Sequence, residues 1–570
     1  MKNYLFAKHN ITLTASLLLI IIVGLFIYSK TLSNSFVWDN IPQIVNNPDV
    51  QTLNLKRIFT SSAVFPHSQN TLNYYYKPVM YAVFALLYSF FQENVIGYHL
   101  LQVIIHIANA VLVLLLMRKY FKPNLALFLS LIFLVHPLNY ETAGYLAALQ
   151  DTLFFFFGFL ALVLVHYEKP RNNVARSSCI GILILLSLLS KETGLLCVIA
   201  IGAYEWLYKN RKDQLIFLVT TVVTLIAYAA LRINASHTQY GFLNASTVMK
   251  LPLYNRLLAV PLILSYYLIT FILPFALVID QQWTVNGPSL RYFIAPLMVV
   301  CLFIALVFWI GKRAGKSSTE TKAFRFFLVL FVSGIAFHIH ILMPLDMTVA
   351  DRWFYVPMVG LLGLMGLAVQ RVRLNKTLAI GIAIVIIGLL SLRTFVRGLD
   401  WTDMMTLYTH DLEHSPNNYH LANKYAAELL KDSRYDEARP ILEQAYLANN
   451  TYGPVNNNLA FVYEKSGQYD KAREHYIKAL SAADFGDADK SYNALARIEL
   501  FTFNNPAGAK KWTEKGLTQY PESILLRIDL AMEEYGMGNK THAIAILRKL
   551  NNTQRIRDLQ TAMEKNISLK

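Results

Sequence analysis

Uncharged apolar runs close to the thickness of a lipid bilayer recur through the first 400 residues of this chain, at 11–28, 99–117, 214–230 and 377–392 among others. A helix needs about 20 such residues to cross the hydrocarbon core, and a water-soluble core cannot hide so many. Composition agrees, with 55% hydrophobic residues and a mean hydropathy of +0.38. The chain therefore reads as all-α and polytopic. Spans are expected near 11–30, 97–117, 125–138, 147–166, 179–190, 194–208, 214–232, 257–279, 291–311, 324–344, 353–370 and 377–394. That makes about eleven or twelve membrane segments, within a transmembrane domain set at 1–400. The first run is long and lacks a small-residue cleavage site, so it is expected to stay as a signal anchor.

Charge orients the bundle. The first 400 residues carry a surplus of 17 positive charges, whereas the remainder holds 21 basic against 22 acidic residues. A basic pI of 9.4 invites a nucleic-acid reading, but the positives sit in short loops beside spans. Examples are Arg118, Lys119 and Lys122; Lys169, Arg171 and Arg176; Lys209, Arg211 and Lys212; Lys312, Arg313 and Lys316; Arg371, Arg373 and Lys376. That is the positive-inside pattern of cytoplasmic loops, not a nucleic-acid footprint. It puts the loop 31–95 outside, with 79–91 as a short apolar helix on the outer membrane surface. Straight counting would then put Lys312–Lys316 outside as well. A bend at Pro261 and Pro274, keeping both ends of 257–279 outside, repairs the parity. The three cysteines (179, 197 and 301) all fall in apolar stretches, so no disulfide framework is expected.

From 401 to 570 a different period appears. Ala426, Ala438 and Ala445 return as Ala460, Ala472 and Ala479, a shift of 34. A third unit with Ala509, Gly516 and Pro521 is stretched by three residues, and a fourth carries Ala531, Gly538 and Ala543. This is the spacing of tetratricopeptide helix hairpins, about four of them, forming an α-solenoid that suits a partner protein or polypeptide.

Charged residues and histidines gather at the outer ends of the spans: Asp39, Lys77, His99, His106, His136, Glu141, Asp151, Lys191, Glu192, Asp351 and Arg352. A charge at bilayer depth costs a few kcal/mol unless paired or hydrated, so such groups mark a polar cavity. Plainer roles compete. Lys191-Glu192 reads as a neutralised pair in a tight turn, and Asp351-Arg352 as a structural ion pair. His338 and His340 read as bundle packing, His99 and His106 as interhelical hydrogen-bonders.

The segments WDN…NNPDV, YYKPV, GYHLLQVIIH, HPLNYETAGYLAALQD, SKETG and DRWFYVPMVG occur in that order. With the C-terminal repeats, they resemble the transmembrane-and-tetratricopeptide O-mannosyltransferases and their bacterial relatives, of the GT-C superfamily. The resemblance implies a GT-C-like helix bundle in a bacterial inner membrane, with the repeats outside. It also implies transfer of a sugar, mannose in the namesakes, from a polyprenyl-phosphate carrier to protein hydroxyls. The family places its catalytic Asp where Asp39 stands, with a second acid where this chain has Asn40 and Arg where it has Lys77. Inverting transfer needs a base for the acceptor hydroxyl, which Asp39 would supply. The leaving phosphate needs cations in a low-dielectric site; Lys77 and Arg352 are the candidates, with His136 as a hydrogen-bond donor. Glu141, Asp151, Lys191, Glu192 and Asp351 would orient them or meet sugar hydroxyls. No metal-ligand spacing or Gly-rich phosphate loop appears, so neither a divalent metal nor another cofactor is expected. The alternatives are a non-catalytic membrane scaffold for an envelope or secretion complex, or the same transfer to a glycolipid.

Overall fold

The computed structural model describes residues 2–61, 76–167, 173–235, 248–315, 317–372, 375–482, 488–550 and 553–565. Lys169, Arg171, Lys316, Arg373 and the first two tyrosines of the YYYKP run lie outside them. The described residues are helical, with one isolated antiparallel bridge between Gln281 and Val349. Two compact units form, Met1–His414 and Ser415–Lys570.

The first unit contains α1 (Lys2–Ile27), α2 (Pro78–Phe91), α3 (Val95–Arg118), α4 (Pro123–Val135), α5 (Tyr140–Gly144), α6 (Leu149–Tyr167), α7 (Asn173–Ser190) and α8 (Leu195–Tyr208). It continues with α9 (Arg211–Ala235), α10 (Leu253–Ile272), α11 (Ala295–Ala314), α12 (Ser318–Ala336), α13 (Tyr355–Val369), α14 (Lys376–Asp400) and α15 (Met404–His414). Among the described residues, 8 helices are long and apolar enough to cross a membrane, or 9 if α4 and the bent segment after it are one span. This makes a multi-pass membrane protein with fewer full-length spans than the eleven or twelve expected. The difference lies in α7, α8 and α12, which are short or charged at one end.

The expected bend in 257–279 moves elsewhere. Pro261 sits inside an uninterrupted α10, which ends before Pro274. The break falls at His136, where the chain turns by 51°. His136 precedes a proline and takes the extended backbone that such a residue favours, φ −75° and ψ 129°. Polar contacts hold the chain at both ends of α10. Arg256 donates to the His340 carbonyl at 2.8 Å near its start, and Arg393 to the Pro274 and Phe275 carbonyls at 3.1 Å beyond its end. Arg371 pairs with Glu320 in the first turn of α12, which follows the basic end of α11.

Close packing of α12 on α13 requires glycine. A Cβ on Gly360 would lie 2.4 Å from the Phe331 amide nitrogen, and one on Gly363 2.0 Å from the Phe327 ring. Small residues let helices approach where apolar burial offers no gain over lipid.

The second unit is a run of hairpins: α16 (Tyr419–Lys431) with α17 (Tyr435–Ala448), α18 (Gly453–Lys465) with α19 (Tyr469–Ser481), α20 (Ala488–Arg497) with α21 (Pro506–Gln519), and α22 (Ile524–Gly536) with α23 (Lys540–Arg548). A last helix, α24 (Gln554–Glu564), follows. Ala426, Ala438, Ala460, Ala472, Ala479, Ala509, Ala531 and Ala543 are fully buried where helices cross. Each hairpin turns through one residue at positive φ: Ser433 (60°), Gly467 (72°), Asn504 (49°) and Gly538 (90°). The three extra residues of the third repeat fall between Ala494 and Asn504, where a π-helical turn, Ile498–Thr502, takes them up inside the helix.

Candidate active site

The loop after α1 is stitched to distant parts of the first unit. Ser35 N donates to Thr402 O at 2.9 Å, and the Asn34 amide to Gly398 O at 3.1 Å and the Tyr140 hydroxyl at 3.2 Å. His99 Nε2 meets the Asn34 carbonyl at 3.1 Å, so this histidine ties its helix to the loop and not, as expected, to another helix. Trp38 takes a left-handed backbone, φ 51°, which costs an L-residue roughly 1–2 kcal/mol. The turn it makes is held from both sides. Asp39 N donates to the Tyr145 hydroxyl at 3.3 Å, and buried Asn40 accepts from Ala147 N at 2.9 Å. The Asp39 side chain is half-buried.

Lys77 caps the start of α2 and is 8% exposed. Burial pushes its ammonium down to about 8; Lys191 adds to that, while Glu192, Asp151 and Asp39 oppose it. Four of the expected site residues thus act on a fifth. They come from the first loop, the start of α6 and the α7–α8 turn.

The cations are pre-positioned, though not by their sequence neighbours. Lys191 does not pair with Glu192: its Nζ lies 2.6 Å from Asp151 Oδ1, while Arg232 holds Glu192 at 2.7 Å. Lys191 is extended, with φ −161° and ψ 143°, so successive side chains leave on opposite sides. Nor does Arg352 pair with Asp351. Its guanidinium binds Glu141 on α5, and its backbone N donates to the same carboxylate at 3.0 Å. Asp351 accepts from the Tyr266 hydroxyl at 2.7 Å, which in turn accepts from Gln281 at 2.9 Å. These two residues open a 3-10 turn, which sends adjacent side chains about 120° apart.

His136 departs from expectation. Its Nδ1 accepts from Leu138 N at 3.2 Å and its Nε2 meets the Phe271 carbonyl at 2.9 Å. Both ring nitrogens are engaged by backbone, so the geometry supports a helix-end role in place of a phosphate contact. His106 bonds Tyr355, Tyr28 and the Leu134 carbonyl, and His338 stacks on Trp353 at 5.2 Å.

Tyr145, Tyr266 and Arg232 are the participants that sequence reasoning passes over. Tyr145 follows Glu141 by one helical turn, a usable signal; the other two are polar groups on apolar helices with no marker. Chemically, the arrangement offers a half-buried carboxylate on a strained turn, a buried lysine and two carboxylate-anchored cations. Such a set can take a proton from a hydroxyl and stabilise charge on a departing phosphate.

The chain is similar to several known proteins. A tetratricopeptide repeat model matches residues 429–498. Protein O-mannosyl-transferase F38B6.6 of Caenorhabditis elegans is 24% identical over 71% of this chain and 58% of its own length. Human protein O-mannosyl-transferase TMTC3 is 23% identical over 88% of this chain and 59% of its own. The chain thus spans less than two thirds of these relatives. A solved Archaeoglobus fulgidus oligosaccharyltransferase aligns over 84% of this chain and 72% of that one, at 13% identity and a TM-score of 0.39. By sequence, this repeat-bearing membrane protein is similar, at 24% and 23% identity, to proteins named protein O-mannosyl-transferase.

Proposed function

We propose that the chain is a GT-C-type glycosyltransferase that moves a sugar, mannose by analogy with its relatives' names, from a polyprenyl-phosphate carrier to protein hydroxyls outside the cytoplasm. The observation that supports this reading is a set of buried, paired charges: Lys77 is 8% exposed, Lys191 meets Asp151 at 2.6 Å, and Arg352 pairs with Glu141. A scaffold has no use for so costly a buried cluster. In this mechanism Asp39 takes the acceptor hydroxyl's proton as that oxygen bonds the sugar's anomeric carbon, and the bond from that carbon to the carrier breaks to release polyprenyl phosphate. Lys77 and Arg352 carry the growing phosphate charge, with Glu141 and Asp151 orienting Arg352 and Lys191. Tyr145 holds the Asp39 turn through its backbone amide.

On the proposed topology, the face with Lys312, Arg313 and Arg371 is cytoplasmic. The repeats would then lie on the extracytoplasmic side of a bacterial inner membrane, where they would present a polypeptide acceptor. Membranes holding the protein should transfer label from radioactive polyprenyl-phosphate mannose to protein, and those with Asp39→Asn should not. Absence of transfer from every polyprenyl-phosphate sugar tried would discard the reading. A cysteine replacing exposed Lys471 should react with an impermeant thiol reagent on intact spheroplasts; reaction only after lysis would reverse the topology.

A further inference from the structure

Helices α7, α8 and α9 carry the Lys191 and Glu192 pairs at one end and a second polar site at the other. Arg176 lies 15 residues before Lys191 on α7, about 22 Å along the helix. There the three helices enclose a cavity of about 20 Å³, bordered by Arg176, Glu205, Asp213 and Thr220 with Ile180 and Phe217 as apolar walls. That volume admits one group the size of a water molecule or an ammonium.

Glu205 supplies the independent sign of a ligand. Its side chain is 5% exposed, and its Oε2 is buried with no hydrogen-bond partner. The Arg176 guanidinium stands 3.8 Å from its Oε1, beyond hydrogen-bond reach. A carboxylate oxygen taken out of water without a donor is costly. Asp213 brings a second carboxylate to the same space, so the missing donor carries positive charge. An alkylammonium fits: it is small, and its three N–H groups can serve both acids.

The surroundings name the rest of the molecule. Arg176 at the rim, with Lys209, Arg211 and Lys212 in the adjoining turn, suits a phosphate next to the ammonium. From there the outer face of α9 presents Leu215, Leu218 and Val219, each more than half exposed, a track for acyl chains. We propose that this cavity is a lipid-headgroup site, which takes the primary ammonium of an aminophospholipid on Glu205 and Asp213 and its phosphate on Arg176, in the leaflet opposite Asp39.

The test is native mass spectrometry of the delipidated full-length protein, titrated with phosphatidylethanolamine, phosphatidylcholine or phosphatidylglycerol of identical acyl chains. Phosphatidylethanolamine should bind at least about tenfold more tightly than phosphatidylcholine, whose methylated nitrogen has no N–H to donate and exceeds the cavity. E205Q should bring its binding down to about the phosphatidylcholine level while thermal unfolding stays unchanged. Equal binding of the first two lipids, or preference for phosphatidylglycerol, would leave only a basic rim and overturn the site. Unchanged binding by E205Q would do the same. Should E205Q unfold, the headgroup comparison on the native protein decides alone. Soluble phosphoethanolamine should compete only at far higher concentration; if it binds as tightly as the lipid, the acyl track is wrong and the lipid assignment falls. None of these residues takes part in the proposed sugar transfer, so failure here leaves that reading standing.

Discussion

The two units of this chain bury opposite things. The first hides Glu141, Asp151, Asp351, Arg397 and Asp411 and exposes Leu302, Phe308 and Ile384, at 71%, 71% and 67%. The second hides alanines and leucines and exposes pairs such as Arg434–Glu437 and Lys478–Glu474. One set of physical rules gives both patterns once the surrounding medium is changed. In water a charge is already solvated, and a helical neighbour three or four residues away adds little. Shielded from water, it gains from a close partner, often by reaching to another element. Arg397 does so, reaching Asp411 at 3.1 Å, while the other Asp411 oxygen accepts from Ile279 N at 2.7 Å.

The sharpest break of this comparison should come at Asp39. Asp39→Asn keeps the shape but removes the base, so sugar transfer should fall by roughly 10²–10⁴-fold. Membrane insertion and hydrogen exchange in the repeats should stay as they were; retained transfer would remove Asp39 from the chemistry. Arg352→Ala leaves Glu141 buried without its cation and should destabilise the first unit by roughly 3–5 kcal/mol, read as lost detergent-solubilised thermal stability. Arg434→Ala, an exposed pair of ordinary 2.8 Å geometry, should leave unfolding unchanged. Equal effects from the two would erase the distinction drawn here.

Lys77 offers a pH test. Folding lowers its pKa to about 8, so the burial penalty on its charge weighs on the fold below pH 8 and is relieved as pH rises from there towards 10.5. Donor binding that depends on the ammonium should fall over the same rise, measured as the apparent affinity for polyprenyl phosphate. A flat profile would take Lys77 out of the phosphate site. In the repeats the sign reverses for Glu533, which is fully buried and raised to about 8, chiefly by desolvation. It favours the fold most below about pH 4.5, and that support is lost as pH rises to 8. Amide exchange in Ile524–Gly536 should quicken across that window in wild type, and less so in Glu533→Gln. The smallest effect expected is at Ser433, whose φ of 60° suits glycine. Ser433→Gly should stabilise the repeats by up to about 1 kcal/mol, shown by a later thermal midpoint.

Legibility in the sequence follows the same division. The repeats announce themselves because a fixed period puts Ala460 and Ala472 at predictable crossings, and even the three-residue stretch is visible. Its location in a π turn is not, because nothing in Ile498–Thr502 marks the change of winding. The membrane helices are legible from hydropathy, and Asp39, Lys77 and Arg352 from their place at helix ends. The pairing of those charges is not legible. Sequence adjacency suggests Lys191 with Glu192 and Asp351 with Arg352, whereas backbone direction sends them to Asp151, Arg232, Tyr266 and Glu141. Proline position misleads in the same way: Pro261 leaves its helix intact, and the residue before Pro137 breaks one.

The bonds from Asn34 and Ser35 to Gly398 and Thr402 have a consequence for biogenesis. Asn34 and Gly398 are 364 residues apart, so the loop bearing Asp39 emerges from the ribosome long before its anchor exists. At ordinary translation rates that interval is roughly 20–70 s. Over that time the nascent loop should remain open to protease, closing only when the last membrane helix is released. Arrested chains ending before residue 398 should be cut there and full-length chains protected. Equal protection in both would mean that the loop sets without its distant anchor. A cell making this protein would then hold no finished Asp39 loop in any incomplete copy, so the loop is set only once the first unit is whole.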